Sequence, residues 1–530
     1  MSSIIKQKVG KHTYLYESTS YRDADGRPRN SRKIVGKVDP ETNIEEYKRE
    51  YIAKRKAEGN PLEISDVQSS FNINEIKQSR INEYGAFYLY KSITEKIGLY
   101  SSLQGSLGKH YNEVFTLATY LVSTGDPFLY CEDWINKTEC LPVGSMSPQR
   151  ISEIISSISH NERESFYCKW AENRSESEYL ALDITSISSY SELIEDVEWG
   201  YNRDDEKLPQ INLCLLTGEK SRLPIYQTVY SGSLKDVTTL KTTLAKFKAI
   251  SNEKPILVVM DKGFYSAKNI NMMLKEESEV KFVISVPFST KFAKNQVKSE
   301  NKDIDSLRNT IVYGADSIRG ITKVRTWDKE SKVYTHVYYN PVKATKTKEE
   351  LYAHVTVLKE LAEADTENKE YAKEFEKYLL IRKSDKRPSG YSINIREDVV
   401  NAELETAGWM VIISNEVQDA KRALSIYRDK DVVEKGFLKL KNNLELGRLR
   451  VHREDRMQNK IFIAFIALIL MSLIHKVMTE KNLYKSMTMK KLLLTLSKLR
   501  IQNINDTQVL YPLTKEQKQI FEAFEIDLPL

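Results

Sequence analysis

A succession of short apolar runs over residues 179–288 constrains the fold of this chain more than any other feature. The runs YLALDITSI, INLCLLTG and LPIYQTVYSG follow one another directly, and PILVVMD and KFVISVPF come later. Patterns typical of helices, KDVTTLKTTLAKFKAI and SAKNINMMLKEE, separate the third, fourth and fifth runs. Strands connected in this order predict an α/β fold with one mixed sheet and crossover helices.

The charge of the chain is distributed unevenly. The 530 residues are 41% hydrophobic and 29% charged, which predicts a globular protein of several domains. The net charge of +6 is too small to identify a nucleic-acid partner. However, residues 1–38 contain nine basic and three acidic side chains, and residues 475–500 contain seven and one. Two basic ends around an acidic centre indicate contacts with a polyanion at particular places.

Cysteine usage and hydropathy predict a cytoplasmic protein. The four cysteines form no CxxC pair and no disulfide framework, and the first residues, MSSIIKQKVG, lack the apolar core of a secretory signal. The longest apolar run, residues 461–474, has 14 residues, whereas a helix needs about 18 to cross a bilayer. We therefore expect a buried core helix there and no membrane partner.

Two aspartates occupy positions where apolar strands should have none. Asp183 interrupts the first run, and Asp261 ends the fourth run before the turn residues Lys262 and Gly263. Each could be a strand-edge or helix-capping aspartate, but open sheets place ligand sites at strand ends. Neighbouring carboxylates repel each other unless they share a cation. With oxygen ligands and no histidine or cysteine beside them, that cation would be Mg²⁺ or Mn²⁺.

A third acid lies on the amphipathic pattern AKRALSIYRDKDVVEKGFLKLKNNLELGRLR. If this segment is one helix with about 100° per residue, four polar side chains fall within roughly 60° of one another beside an apolar stripe. These side chains are Tyr427, Lys430, Glu434 and Lys441. The alternative interpretation is a solvated helix face with an ordinary ion pair between Lys430 and Glu434.

These residues resemble the signature of the DDE transposases of bacterial insertion sequences, in the branch with a Tyr-Arg-Glu-Lys motif and a β-rich insertion. The motif is Tyr, two residues, Arg, three residues, Glu, six residues, Lys, and this chain has that spacing with Lys430 in place of the arginine. The segments LALDITS, VVMDKGFYS, GYNRDDEKLPQINLCLL and RLRVHREDRMQNKIFIAFIALIL also resemble this family. The resemblance extends from the N-terminal hairpin to about residue 500.

The resemblance implies a ribonuclease-H-like core with Asp183, Asp261 and Glu434 as catalytic residues that hold two Mg²⁺ (or Mn²⁺) ions. Two ions near the scissile phosphate can activate a nucleophile and stabilise the leaving oxygen. The implied reaction is metal-dependent cleavage at the inverted-repeat ends of the element. Attack of the freed 3′-hydroxyl on target DNA follows, without a covalent protein–DNA intermediate.

The resemblance also implies residues that bind DNA near the reacting phosphate. Lys430 and Lys441 would hold phosphates, and Tyr427 would contact the terminal nucleotide. Arg428 is a further candidate, although it is turned by about 100° from Tyr427 on a helix. Because lysine does not reproduce the bidentate contact of arginine, Lys430 changes how the strand would be positioned.

Two other segments supply candidates for DNA binding. Arg27, Arg29 and Arg32 belong to the basic N-terminal hairpin, which is either a phosphate contact or a solvated face. Trp327 lies in the basic context KVRTWDK, where relatives stack an aromatic side chain on a flipped base. The alternative for Trp327 is a packed strand residue.

We expect six segments along the chain, with the insertion inferred from the more than 100 residues between the fifth strand and the amphipathic helix. They are a basic β-hairpin module that binds DNA (1–62), a helical DNA-binding or connecting region (63–175), the first part of the catalytic core (176–288), an inserted β-rich domain with a charged helix (289–420), the second part of the core (421–475) and a C-terminal helical region (476–530).

The expected partner is double-stranded DNA, bound by a homodimer in a paired-end complex of the bacterial nucleoid, with no small-molecule substrate. Two alternatives remain open. One is a structure-specific nuclease or resolvase on the same core, which nicks DNA without strand transfer. The other is a DNA-binding descendant of a transposase that has lost catalysis.

Overall fold

A computed structural model describes residues 2–23, 26–38, 45–57, 79–172, 178–251, 255–275, 278–314, 316–328, 331–384, 390–504 and 507–529. The chain forms two compact units. The first consists of Met1–Leu89, Ile135–Cys140 and Lys490–Leu530, and the second of Tyr90–Trp134 and Leu141–Met489. The predicted segment boundaries at 62/63 and 175/176 lie outside the described residues.

Strands and helices alternate along most of the chain. The strands are β1 (Ser2–Val9), β2 (His12–Arg22), β3 (Pro28–Val38), β4 (Glu45–Tyr47), β5 (Arg80–Glu83), β6 (Leu180–Ser189), β7 (Gln210–Gly218), β8 (Pro224–Ser231), β9 (Ile256–Met260), β10 (Val280–Ser285), β11 (Thr310–Tyr313), β12 (Asp316–Thr326), β13 (Lys332–Tyr339), β14 (Leu379–Lys383), β15 (Tyr391–Ile395), β16 (Trp409–Ser414), β17 (Arg448–Leu449), β18 (Arg500–Ile504) and β19 (Thr507–Leu510). The α-helices are α1 (Arg49–Ala57), α2 (Gly85–Lys96), α3 (Leu99–Gln104), α4 (Tyr111–Thr124), α5 (Cys131–Ile135), α6 (Pro148–Ser157), α7 (His160–Glu172), α8 (Asp236–Ile250), α9 (Ala267–Leu274), α10 (Lys291–Glu300), α11 (Pro341–Ala364), α12 (Ala372–Tyr378), α13 (Glu397–Leu404), α14 (Ala420–Asp429), α15 (Asp431–Asn443), α16 (Glu454–Glu480), α17 (Met489–Ser497) and α18 (Lys515–Ala523).

The first unit contains two antiparallel sheets. Strands β1 to β4 pair in sequence order, and β5 joins the β18–β19 hairpin. The expected N-terminal hairpin is therefore part of a four-stranded sheet. The reason is its apolar face, because Leu15 and Val35 are buried against Tyr47 and Tyr51 from β4 and α1. The far end of the β2–β3 ribbon lacks such a cover and is exposed.

The second unit is built on one mixed sheet, which confirms the predicted α/β fold. Its strand order is β11-β12-β13-β16-β10-β9-β6-β7-β8, and β17 pairs with β6. Strands β6, β7 and β8 are antiparallel neighbours, whereas β9 and β10 run parallel to β6. Helix α8 connects β8 to β9, and α9 connects β9 to β10, as crossover helices should.

The segment 289–420 differs from the separate β-rich domain expected from sequence. Strands β11, β12, β13 and β16 extend the sheet of the core, because β16 pairs along β10. Without this pairing β10 would be an edge strand with unpaired backbone groups. The remainder is mainly helical: α11, α12 and α13 pack with the β14–β15 hairpin around a small core of their own.

Helix α16 forms the centre of the second unit. It is long and apolar enough to cross a membrane by length and composition, but 78% of its most apolar window is buried inside the structure. It packs against α4, α6, α15 and β8. A helix that is apolar on all sides is stable in water only when it is surrounded in this way. The prediction of a buried core helix is confirmed.

Candidate active site

Asp183, on β6, lies next to Asp261, which directly follows the neighbouring parallel strand β9. Leu182 of β6 pairs in register with Met260 of β9, so the residue that follows each of them stands at the same level of the sheet. Adjacent strands are about 4.8 Å apart. The structure therefore brings together the two carboxylates that the sequence placed on separate apolar runs.

The carboxyl group of Asp183 is largely buried. Its Oδ1 accepts a hydrogen bond of 2.8 Å from the backbone N–H of Ile184. Burial raises its pKa to about 6, the ammonium of Lys430 opposes this rise, and the charge of Asp261 adds to it. Two coupled carboxylates in a desolvated place favour binding of a cation, which would relieve both the burial and the repulsion.

Asp261 begins a tight turn after β9. Its Oδ1 accepts a hydrogen bond of 2.7 Å from the N–H of Gly263, so the capping role considered from sequence is present. A Cβ atom on Gly263 would lie 3.0 Å from Oδ1 of Asp261 and 3.1 Å from Oδ2 of Asp236. Glycine at this position therefore leaves room for two carboxylates to approach each other.

Glu434 lies on the second of two helices, where the sequence predicted one continuous helix. Helix α14 ends at Asp429 and α15 begins at Asp431, with Lys430 between them. The N–H of Val433 donates to the carbonyl of Lys430 at 3.1 Å, a tighter turn than that of an α-helix. This turn interrupts the regular helix at the residue whose side chain enters the site.

Helix α15 packs on the sheet face that carries Asp183. Val433, Phe437 and Leu440 are its buried apolar residues. A Cβ atom on Gly436 would stand 3.3 Å from the side chain of Leu215, which pairs with Asp183 across β6 and β7. Residues directly opposite in an antiparallel pair share a face, so Glu434 and Asp183 lie on the same side of the sheet.

Lys430 lies between Asp183 and Glu434 and contacts both. Its side chain is 6% exposed, and its Nζ lies 2.9 Å from Oε1 of Glu434 and 3.9 Å from Oδ2 of Asp183. Burial lowers the pKa of Lys430, but Asp183 and Glu434 outweigh that effect and hold the pKa above its ordinary value. The ammonium therefore remains charged and neutralises the carboxylates in the absence of another cation.

The donor set of this carboxylate cluster, Asp183, Asp261 and Glu434, fits Mg²⁺ or Mn²⁺. All donors are carboxylate oxygens, which these ions prefer. Across the described ranges, no group of three His, Cys, Asp or Glu side chains is arranged to hold an ion as the side chains stand. Since Lys430 binds Glu434, that carboxylate would have to exchange the ammonium for the metal ion to complete the site.

Two further predicted residues lie near the cluster. Burial raises the pKa of Tyr427, a hydrogen bond with Ser285 at the end of β10 opposes this rise, and the charges of Asp261 and Glu434 add to it. Lys441, two turns beyond Glu434, forms an ion pair with Asp204 in the connection between β6 and β7. Tyr427 therefore lies beside the acids, whereas Lys441 has an acidic partner of its own.

Arg428 and Trp327 have packing partners. Arg428 forms an ion pair of 3.0 Å with Asp316 and lies over the ring of Tyr313. The indole N–H of Trp327 donates to Asn271 at 2.6 Å, and its ring meets Phe292 edge-on. Arg428 thus attaches α14 to the edge of the sheet, and Trp327, which is partly exposed, has one hydrogen-bond partner and one ring partner.

Arg27, Arg29 and Arg32 belong to the first unit, on the exposed end of the β2–β3 ribbon. Arg29 forms an ion pair of 3.0 Å with Asp23, which lies before the turn. Arg32 donates to Gln7 of β1 at 3.3 Å. All three guanidinium groups remain on the surface.

One pair at the site, Arg203 and Asp236, is not predicted by the sequence. Nη2 of Arg203 donates to both oxygens of Asp236, and its charge weakly opposes the rise that burial causes in the pKa of Asp183. Arg203 lies within the segment GYNRDDEK, which carried part of the resemblance, and Asp236 begins α8. The only signal was the position of Arg203 in that segment, because no periodicity shows that two residues 33 positions apart will meet.

One protein family and several solved structures are similar to this chain. Residues 174–470, more than half of the chain, match the family described as "Transposase DDE domain". No curated protein sequence matches the chain. Among solved structures, a piggyBac transposase synaptic complex with hairpin DNA, determined by cryo-EM, is similar at 11% identity and a TM-score of 0.36, over 77% of this chain and 70% of the other.

Proposed function

This chain belongs to the DDE transposase family, and we propose that it cuts DNA at the inverted-repeat ends of its own insertion sequence and inserts the freed element elsewhere. In this reaction a water molecule attacks a phosphodiester at each end and frees a 3′-hydroxyl. That hydroxyl then attacks a phosphodiester of the target DNA, joins to its phosphorus and displaces the 3′-oxygen of the target strand, which leaves as a 3′-hydroxyl. The observation that carries the proposal is the family match, because it covers β6, β9 and α15, which bear Asp183, Asp261 and Glu434.

We propose that the core of the second unit is ribonuclease-H-like. The supporting observation is the path β8-β7-β6-β9-β10, in which three antiparallel strands are followed by two strands parallel to β6. The first acid lies on the central strand of this path and the second directly after its parallel neighbour. An active site at the ends of such strands is the usual place in open α/β sheets.

Asp183, Asp261 and Glu434 would hold the divalent cations, which we propose are two Mg²⁺ or Mn²⁺ ions. Ions bound there would activate the attacking hydroxyl and offset the charge on the leaving oxygen. Asp183 and Asp261 are adjacent, and Glu434 is exposed enough to turn toward an ion or toward DNA. Lys430 contacts Asp183 and Glu434, and a cation held at this site would take over the contact with Glu434.

DNA would be positioned by residues outside the carboxylate cluster. Tyr427 stands beside the acids, within reach of a terminal nucleotide. Lys441 would bind a backbone phosphate once that phosphate displaces Asp204. Before it could bind DNA, Arg428 would have to leave its ion pair with Asp316. Trp327 would have to give up its hydrogen bond to Asn271.

The exposed β2–β3 ribbon would bind the element ends. A two-stranded ribbon has the dimensions of the major groove, and Arg27, Arg29 and Arg32 are well placed for phosphates on either side. We further propose that two copies act together, one at each end of the element, because both ends must be cut and joined in one event.

The test uses the DNA that flanks this gene. Matching inverted repeats there, prepared as labelled duplexes, should be cut by the purified chain with Mg²⁺ and then joined to a supercoiled target plasmid. Nicking without joining would indicate a nuclease instead. Binding without nicking, in Mg²⁺ and in Mn²⁺, would indicate a transposase descendant that has lost catalysis.

A further inference from the structure

We propose that Arg203 contacts the scissile phosphate directly and that Asp236 holds its guanidinium in position, roles that rest on the proposed function. Arg203 lies in the connection between β6 and β7, and Asp236 is the first residue of α8. Both belong to the second unit. The proposal adds to the site a second cation, which belongs to the connection between β6 and β7.

The guanidinium of Arg203 is fixed by its neighbours. Nη2 donates to Oδ2 of Asp236 at 2.6 Å and to Oδ1 of the same carboxylate. Nη1 lies 3.4 Å from the hydroxyl of Ser186 on β6. The side chains of Arg203 and Asp236 are 24% and 19% exposed, so the pair is mostly buried but still in contact with solvent. A charge-assisted pair of this kind fixes the plane of the guanidinium.

The pair adjoins Asp261, and its charge reaches Asp183. Ser186, three residues beyond Asp183 on β6, points to the other face of the sheet, and the charge of Arg203 acts on Asp183 from there. Oδ2 of Asp236 and Oδ1 of Asp261 both come within about 3 Å of the position that a Cβ on Gly263 would occupy. Arg203 therefore reaches the site from the β6–β7 connection, whereas Lys430 reaches it from the turn between α14 and α15.

The two cations have different capacities for a phosphate. Lys430 is buried and already engaged by Asp183 and Glu434. Arg203 has five N–H donors, of which the contacts with Asp236 and Ser186 use three at most. The remaining donors form part of a planar fork that suits two oxygens of a phosphate.

The charge of the site explains why a guanidinium is useful there. Asp183, Asp261, Glu434 and Asp236 carry four negative charges, and Lys430 and Arg203 carry two positive ones. A DNA phosphate that enters this site gains charge on its non-bridging oxygens as the nucleophile attacks. A fixed donor aimed at those oxygens stabilises that state more than the ground state.

The first experiment measures single-turnover cleavage and end binding for Arg203→Ala and Arg203→Lys. Removing a cation that contacts the reacting phosphate typically slows the reaction by about 10²–10³-fold. We expect such a loss for Arg203→Ala, with end affinity within about threefold of wild type. Arg203→Lys retains the positive charge and should fold. Its cleavage rate should still be at least about tenfold below wild type, because an ammonium lacks the planar pair of donors that a guanidinium offers to two phosphate oxygens. Lys207→Ala, an exposed lysine in the same connection, is the matched control.

The second experiment separates a phosphate contact from a structural ion pair. Added methylguanidinium should restore part of the cleavage rate of Arg203→Ala, and it should fail to do so in Arg203→Ala/Asp236→Asn. A pair that only holds the loop would give no such rescue. The inference would be wrong if either Arg203 variant cleaved DNA at the wild-type rate, or if methylguanidinium failed to rescue Arg203→Ala. Either result would leave the proposed function standing. Absence of cleavage by the wild-type chain would overturn the proposed function and this inference together.

Discussion

At the scale of single residues, the three predicted carboxylates have different environments. Asp183 is buried beside Asp261, which begins a turn, and the side chain of Glu434 is 59% exposed. Lys430 is the charge that makes this arrangement stable without a metal ion. Removing one member of a buried pair leaves an uncompensated charge, which costs about 3–5 kcal/mol. The site is therefore sensitive to any change in these four residues.

The substitutions Asp183→Asn, Asp261→Asn and Glu434→Gln should each abolish nicking and leave end binding nearly unchanged. Each removes a metal ligand but little surface that faces DNA. The measurement is Mg²⁺-dependent cleavage of an end duplex, with a gel-shift assay of binding in parallel. Asp431→Asn is the control, because Asp431 lies on the same helix but pairs with Lys435 at the surface. Near-wild-type cleavage by any of the three variants would remove that residue from the proposed triad.

The buried carboxyl group of Asp183 should make stability depend on pH. Its pKa of about 6 lies above the ordinary value of 3.8, so the folded protein retains a proton that the unfolded chain releases. The stabilisation by this proton is present below pH 4 and is lost as the pH rises through 6. A pKa difference of this size corresponds to about 3 kcal/mol.

Asp183→Asn lacks this titration, so it should gain stability relative to wild type as the pH is raised from 5 to 8. Urea unfolding of both proteins in EDTA measures the difference. Addition of Mg²⁺ at pH 8 should then raise the melting temperature of wild type and leave that of Asp183→Asn unchanged. Parallel pH profiles for the two proteins would contradict the assigned burial of Asp183.

At the scale of elements, the break between α14 and α15 gives Lys430 and Lys441 different surroundings. The two lysines predicted to bind phosphate lie on one side of the helical segment but differ in their partners. Lys430, at the break, is enclosed by two acids, whereas the partner of Lys441 is an exposed aspartate on a connection. Lys430 therefore stands at the break between two acids, whereas Lys441 lies on the regular part of α15 and pairs with one aspartate.

Lys441→Ala should reduce cleavage and strand transfer by at least about tenfold while the melting temperature hardly moves. The reason for the small thermal effect is that an ion pair with an exposed partner contributes about 0–1 kcal/mol. Lys430→Ala should instead lower the melting temperature markedly, because it leaves Asp183 without its cation. Melting curves and single-turnover cleavage of the same preparations measure both effects. Wild-type cleavage by Lys441→Ala would exclude its role at a phosphate.

At the scale of the whole molecule, charge is divided between the two units. The exposed basic ribbon belongs to the first unit, and the carboxylate cluster belongs to the second. If the ribbon binds DNA ends and the cluster cleaves them, as proposed, substitutions should impair the two steps separately. Deletion of residues 1–38 is a poor test of binding, because Leu15 and Val35 form part of the core of the four-stranded sheet.

The substitutions Arg27→Gln, Arg32→Gln and Lys33→Gln, combined in one variant, should weaken end binding and flatten its dependence on salt. Each phosphate contact that is lost removes about 0.9 from the slope of log K against log salt, because fewer counterions are released. Titrations of an end duplex at several salt concentrations measure that slope.

The control for net charge is a variant with Lys343, Lys346 and Lys348 of α11 changed to Gln, which removes the same three charges from the second unit. If both triple variants give the same slope as wild type, the ribbon is a solvated face.

The sequence by itself determined the mixed sheet, its crossover helices and the buried helix α16, because these follow from short-range periodicity in hydrophobicity. It also singled out Asp183 and Asp261, because a carboxylate in an apolar run stands out against its neighbours. Only the tertiary structure decided which residues these acids contact. The register of Leu182 with Met260, the break at Lys430 and the pairing of Arg203 with Asp236 depend on contacts between residues far apart in the chain. The edge of β10 was likewise completed by one strand, β16, which lies more than 100 residues later, since backbone groups pair without regard to side-chain pattern.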